Sequence, residues 1–270
     1  MIKVCFAGVT GWTAPPIVAA IDIAEDLILT CGVSRSAAGR TLADATGSGS
    51  DGLIYGSVSE ALHSVEVDVL LDYTSASAVK ENVWTAVQAG VHVVVGSSGL
   101  TADDYEQLDH LARARGIGVV AAGNFSVMAA ILNHAAALAA QHVGHWEIID
   151  CASATKPDVP SGTSRELAEA LAEVHAPHSP VALSELHGPA EARGAEVAGT
   201  RIHSVRLPGF AVSTEIIFGG MGERLILRHD PGESPDPYVA GTLLAIRQVA
   251  DVPGLRRGLK SLLFDASNNH

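Results

Sequence analysis

Ile2-Lys3-Val4-Cys5-Phe6-Ala7-Gly8-Val9-Thr10-Gly11-Trp12-Thr13-Ala14 is the stretch that decides the fold. A short apolar run reads as a buried strand, two glycines read as a tight turn, and the segment from Pro15 to about Ala24 reads as a helix. Strand, glycine turn and helix in that order form the opening unit of a doubly wound α/β domain. The pattern is G-x-x-G-x-x-A, short of the full fingerprint of a phosphate-binding turn. Taken alone it is either such a turn or a plain tight turn. Its place after the first strand favours the former, because glycines let the backbone approach a pyrophosphate and a helix N-terminus stabilises the charge.

Working outward, the same alternation continues. Strands are expected at Leu27–Val33, Leu53–Tyr55, Val67–Asp72, Val91–Val95 and Ile117–Ala121, with helices over Ser77–Ala89, Ala102–Arg115 and Val127–Gln141. Continuous apolar strands separated by helices indicate a parallel sheet covered on both faces. After that the pattern changes. A strand at His145–Ala154 and a helix at Gly162–Val174 lead into a loop-rich stretch, His175–Gly199, expected to be mobile. Three closely spaced strands then follow at Arg201–Leu207, Thr214–Phe218 and Arg224–Arg228, and a helix at Pro237–Ala250. The fold class is therefore α/β: a Rossmann-type doubly wound parallel sheet over residues 1–125, then a second α/β domain on a mixed, partly antiparallel sheet over 126–237.

Composition narrows the function. Of 270 residues, 47% are apolar, enough for a sizeable core. A net charge of −13 without a basic run argues against nucleic acid and against an anionic membrane surface. No apolar run has the length of a membrane span, and the chain opens directly on a strand, so no signal peptide is expected. Cys5, Cys31 and Cys151 each sit in an apolar strand-like run and show no metal-ligand spacing. They read as buried thiols of a reducing, cytoplasmic compartment. His134, His142 and His145 have helix-like or near-helix spacing, but a metal site would need a further ligand and a second shell, so they read as surface or half-buried histidines and no metal is expected.

The strand ends outline a coenzyme site, since ligands of open α/β sheets lie at the carboxyl ends of the strands. The first turn supplies Gly8, Thr10, Gly11, Trp12 and Thr13. The second strand ends in Ser34-Arg35, where an NAD-preferring site carries an acidic residue. A hydroxyl and a guanidinium suit a 2′-phosphate, so NADPH is expected, with NADH possible. Tyr73 and Thr74, Gly96 and Ser98, and Gly123, Asn124 and Phe125 end the next three strands and are expected to contact ribose and nicotinamide. The alternatives are a packed aromatic for Tyr73, a turn or cap for Asn124 and a solvated loop for Arg35.

A second constellation is Lys156-Pro157-Asp158-Val159-Pro160-Ser161-Gly162-Thr163. The chain holds only four lysines, Lys3, Lys80, Lys156 and Lys260, so Lys156 is not filler from a lysine-rich surface. It precedes a turn that opens a helix, whose unpaired N–H groups and positive dipole end hold a carboxylate. The plain alternative is a helix cap, with Thr163 and Glu166 in capping-box spacing.

Together these pieces resemble the dihydrodipicolinate reductase family. The matching segments are Gly8–Ala14, Asp72–Thr74, Gly96–Gly99, Asn124–Ser126, Glu147–Asp150, Lys156 with Asp158 and Pro160–Thr163, and Gly222–Leu225. The resemblance implies a Rossmann domain, a substrate domain whose sheet builds a homotetramer, and a C-terminal segment, 238–270, packing back on the first domain. It implies hydride transfer from NADPH or NADH to an unsaturated cyclic imine carrying carboxylates, in lysine and diaminopimelate synthesis. Ser161, Gly162 and Thr163 would bind a substrate carboxylate, and Lys156 would assist proton delivery.

The chain departs from the family pattern where the acid should be. The family's usual pair of histidines falls on Ala152 and Ser153, its later Gly-Glu-His on Val212-Ser213-Thr214, and the basic residue of its first turn on Trp12. The arginine that usually follows the last strand is missing from Pro231–Pro235. Losing a general acid costs about 10²–10⁴-fold in rate. A changed substrate with one carboxylate or none is therefore expected, with Lys156 as acid and Ser153 and Thr155 as hydrogen-bond donors. His203 and His229 are candidate substitutes for the lost acid. The parent reaction and a non-catalytic NADPH-binding regulator remain alternatives.

Overall fold

A computed structural model describes residues 1–264. The described residues form two compact units, Met1–Val127 with 235–264, and Met128–Ser234. In the first unit β1 (Ile2–Ala7), α1 (Ala14–Asp22), β2 (Leu27–Val33), α2 (Leu42–Thr46), β3 (Ile54–Tyr55), α3 (Val58–Ser64) and β4 (Val69–Asp72) follow one another. They continue with α4 (Val79–Gln88), β5 (His92–Val95), α5 (Ala102–Arg115) and β6 (Gly118–Ala121). The second unit comprises α6 (Val127–Ala140), β7 (Trp146–Ala152), α7 (Gly162–Ala172), β8 (Ala195–Val197), β9 (Thr200–Arg206), β10 (Val212–Gly219) and β11 (Arg224–His229). The chain then completes the first unit with α8 (Val239–Gln248), β12 (Gly254–Arg257) and α9 (Lys260–Phe264).

The first sheet has seven strands in the order β12-β6-β5-β4-β1-β2-β3, with every pairing parallel. Order reverses between β1 and β4, which makes their carboxyl ends the switch point where ligands of such sheets bind. One face buries Cys5, Ala7, Cys31, Leu70, Val93 and Val119 against α3, α4 and α5. On the other, α8 packs on α1 and β5. Apolar burial on both faces explains the unbroken hydrophobic runs.

The second sheet has the order β11-β10-β7-β9-β8. It is mixed: β7 and β9 run parallel, and the other pairs antiparallel. The burial of β7 alternates strictly, with Trp146, Ile148, Asp150 and Ala152 buried and the residues between them half-buried. Ile148 joins Leu167, Ala168 and Leu171 of α7 in the core of this unit. The face of Asp150 and Ala152 is therefore the face toward α7.

The loop-rich stretch His175–Gly199 holds two short 3-10 turns and β8, which pairs with β9. Cys5 and Cys31 are buried as expected, but Cys151 is half-buried, because it points to the face of β7 away from α7. Among the described residues no helix is long and apolar enough to cross a membrane.

Candidate functional site

The glycine turn is built for close approach. Gly8 has φ +87°, and a Cβ placed on it would lie 2.2 Å from the Tyr73 carbonyl oxygen. Only glycine fits there. The amides of Gly8, Gly11 and Ala14 are used by Val33, Gly8 and Gly11 carbonyls at 2.9, 2.8 and 3.1 Å. Those of Val9, Thr10, Trp12 and Thr13 find no acceptor among the described residues. Pro15 and Pro16 remove the donors that the helix would otherwise offer. The turn itself, rather than the first turn of α1, thus carries the free amides, which refines the sequence-based expectation.

Thr10 and Ser34 come together at the ends of β1 and β2, with their hydroxyls 2.8 Å apart, and Ser36 continues the row at 3.3 Å from Ser34. Arg35 is exposed beside them, in no hydrogen bond or ion pair among the described residues. Trp12 is 62% exposed and meets the Tyr238 ring edge-on, centroids 6.4 Å apart. Free amides, hydroxyls and an uncommitted guanidinium, with no carboxylate bonded to any of them, fit an anionic dinucleotide.

At the next strand end, Asp72 is fully buried and acts as a brace. Its Oδ1 accepts from the Thr74 amide at 3.1 Å, the Thr74 hydroxyl at 2.8 Å and the Ser97 hydroxyl at 2.6 Å, and its Oδ2 accepts from Asn82 at 2.8 Å. Thr74 is thus held by Asp72, and it is Ser97 rather than exposed Ser98 that is tied into the fold. Gly96 is small because the Tyr73 ring would lie 2.2 Å from a Cβ there. Tyr73 is a packed aromatic: its ring meets those of Phe6 and Phe125, tilted at 60° to each, its hydroxyl bonds Thr242 at 2.8 Å, and burial pushes the phenol well above its usual range. The Phe125 ring is 1% exposed and belongs to the core, so only its backbone is available to a ligand. Gly123 is exposed, and the half-buried Asn124 accepts from the Ser126 amide at 2.8 Å, a turn-forming contact.

In the second unit the Lys156–Thr163 loop is anchored by Asp150, which is 0% exposed. Its carboxylate accepts from the Ser161 amide at 2.9 Å, Ser164 Oγ at 3.2 Å, Ser204 Oγ at 2.9 Å and Arg206 at 2.8 Å. Burial alone would raise this carboxyl, but the bonds from Ser161, Arg206 and Ser204 outweigh it and hold the group below its usual range. Ser161 is the N-cap of α7, its hydroxyl accepting from the Ser164 amide at 3.4 Å. The Thr163–Glu166 capping box is thus corrected: Thr163 lies inside the first turn and is buried. Gly162 is exposed, with nothing within 4 Å of where a Cβ would stand, so the helix start opens to free space. Lys156 Nζ lies 3.0 Å from Asp158. Ser153 and Thr155 bond each other through their hydroxyls at 3.1 Å.

The two histidines separate. His203 pairs with Ile149, so it faces away from Asp150 and bonds Glu147 at 2.6 Å in a cavity of about 470 Å³ on the opposite side of the sheet. It is no substitute acid for the Lys156 loop. His229 stands opposite Thr214, which stands opposite Asp150, so it shares the face of the loop; burial lowers its basicity.

Comparison with known proteins agrees with this arrangement. The family "Dihydrodipicolinate reductase, N-terminus" matches residues 2–125, and "Dihydrodipicolinate reductase, C-terminus" matches residues 125–263. The chain belongs to the dihydrodipicolinate reductase family. It is 38% identical over 97% of each chain to the 4-hydroxy-tetrahydrodipicolinate reductase of Thermosynechococcus vestitus. Identity is 36% to that of Geobacillus kaustophilus, over 97% of this chain and 99% of the relative. A dipicolinate-bound dihydrodipicolinate reductase from Paenisporosarcina sp. TG-14 superposes with a TM-score of 0.80 at 30% identity, covering 97% of this chain and all of that one. An amine dehydrogenase from Mycobacterium smegmatis, TM-score 0.64 at 16% identity, shares the fold alone.

Within this family member, Asn82, Arg206 and Ser204 bear on the two sites without having been singled out from sequence, while Asp72 and Ser97 entered it only inside the segments Asp72–Thr74 and Gly96–Gly99. Polar residues at strand ends were the only signal, and that signal does not say which carboxylate faces which donor.

Proposed function

We propose that this chain is an NADPH-dependent reductase of a small cyclic imine or conjugated enamine carrying one carboxylate. The observation that carries the reading is the charge balance of the Lys156–Thr163 loop taken together with the charged side chains hydrogen-bonded to its backbone. Lys156, Arg165 and Arg206 stand against Asp150 and Asp158, which leaves one net positive charge. One net charge matches one carboxylate better than two. Ala152, where the family carries histidine, is fully buried and has no proton to give.

Support for the coenzyme comes from the free amides of the glycine turn and from Ser34 and Arg35 without an acidic neighbour. Bound there, the reduced nicotinamide supplies hydride. Gly162 and the turn around it would hold the substrate carboxylate, and Lys156 would give a proton to the reduced nitrogen or stabilise developing charge. The His229 imidazole, on the same face, is a candidate for a second acid. A homotetramer is proposed with it: β11 is an edge strand of the second sheet, with Leu225 46% and Ile226 52% exposed on its two faces, and an open apolar edge is suited to burial against another copy. Light scattering would then give four times the 27.8 kDa chain mass.

The deciding experiment is NADPH oxidation against cyclic imines bearing no, one or two carboxylates. Fastest turnover is expected with one. No turnover on any of them overturns the reading. Near-parental turnover of 4-hydroxy-tetrahydrodipicolinate establishes instead the activity named for the relatives, a reading favoured by their identity over nearly the whole chain.

A further inference from the structure

We infer that Asp150 and Arg206 form a positioning pair that sets both halves of the anion site at once, the Ser161–Gly162–Thr163 turn and the Lys156 ammonium; the inference rests on the reading above that this turn takes a carboxylate. Asp150 grips the turn directly, through the Ser161 amide at 2.9 Å and Ser164 Oγ at 3.2 Å. These are the N-cap and the third residue of α7, so one carboxylate fixes the direction in which the helix start points.

Arg206 reaches the other half. Its Nη2 donates both to Asp150 Oδ2 and to the Asp158 carbonyl, each at 2.8 Å. Its Nη1 donates to the carbonyls of Asp150 and Val205 at 3.1 and 3.0 Å. The Asp158 carboxylate in turn holds Lys156 Nζ at 3.0 Å. A continuous chain of contacts therefore runs from the buried end of β7, through the guanidinium and Asp158, to the lysine.

A flat guanidinium spans strand and loop together, whereas an ammonium is a point charge on a flexible stem and cannot reproduce the fork. Arg206 Nε is buried with no hydrogen-bond partner, so the terminal nitrogens alone hold the side chain in register. Ser204 donates at 2.9 Å to the same Oδ2 that takes the Ser161 amide and Arg206, while Ser164 takes Oδ1. Neither Asp150 nor Arg206 needs to touch a substrate: both act through the turn and through Asp158.

The test uses picolinate, a ring with one carboxylate, and dipicolinate, with two, titrated calorimetrically into the NADPH-saturated full-length protein. Wild type, Arg206→Lys, Arg206→Ala and Asp150→Asn are compared, with NADPH affinity measured in parallel. Arg206→Lys is expected to weaken picolinate at least tenfold while NADPH affinity stays within twofold. Methylguanidinium is expected to restore picolinate binding to Arg206→Ala and to leave Arg206→Lys unchanged. If Asp150→Asn does not fold, the Arg206 variants carry the test. Folded Arg206 variants that bind picolinate like wild type overturn the pair alone. Wild type that binds neither acid overturns the carboxylate reading on which the pair rests, and the two failures are told apart by which protein fails.

Discussion

At Gly8, two independent constraints meet: a left-handed φ of +87° and a carbonyl oxygen 2.2 Å from any added Cβ. Gly8→Ala is therefore expected to lower stability by about 1–3 kcal/mol, the usual cost of a side chain held in a sparsely populated backbone region. It is also expected to abolish NADPH binding, because the turn must open to relieve the contact. Thermal melts and coenzyme fluorescence check both. Asp150 carries a different signature. Its folded-state carboxyl is held below the unfolded value, so its contribution is present above about pH 4, the unfolded value. It is lost as pH falls through the folded value, because the unfolded chain binds the proton first. Urea melts at pH 6 and pH 3 should show a loss of stability in wild type that is shallower in Asp150→Asn, which starts from a lower value. In the sequence Asp150 entered only as the last residue of the matching segment Glu147–Asp150. That it faces α7 and not the opposite side depends on the alternation of β7, and the spacing of the motif alone does not reveal it.

Between the residue and the fold lies the element, and elements were legible in proportion to their periodicity. Helix α5 came out at Ala102–Arg115 because Thr101 and Asp104 close a capping box at one end and Gly116 adopts φ +68° at the other. Thr101 accepts from the Asp104 amide at 3.1 Å, and Asp104 is further paired with Lys80. Thr101→Ala should cost about 1 kcal/mol; chemical denaturation of the variant would register it, and an unchanged midpoint would deny the cap its role. Of the shorter elements, β3 was legible from its apolar residues, but α2, β8 and β12 were not. The five residues of α2 and the three of β8 are too brief to display a period, and β12 at Gly254–Arg257 carries two arginines where a strand signal wants apolar residues. β12 exists because β6 leaves a sheet edge that Gly254–Arg257 fills in parallel register. This is a tertiary cause, and no local pattern encodes it.

Across the whole molecule, the residues assigned to the coenzyme and those assigned to the substrate fall in different compact units, each with its own apolar cluster. The first unit gathers Gly8, Thr10, Ser34, Arg35 and Thr74; the second gathers Lys156, Ser161, Gly162 and Thr163. Coenzyme affinity should then be indifferent to the acid. NADPH at a hundredfold excess over its dissociation constant stabilises a protein that binds it only when folded by about 2.7 kcal/mol. Lys156→Ala is expected to retain that increment in full while losing turnover on every imine tested. Arg35→Ala should do the reverse: it should raise the NADPH dissociation constant while leaving NADH nearly untouched, since only the 2′-phosphate distinguishes the two. Loss of the NADPH increment in Lys156→Ala would mean that the lysine serves the coenzyme, and equal weakening of both coenzymes in Arg35→Ala would mean that the guanidinium does not read the phosphate.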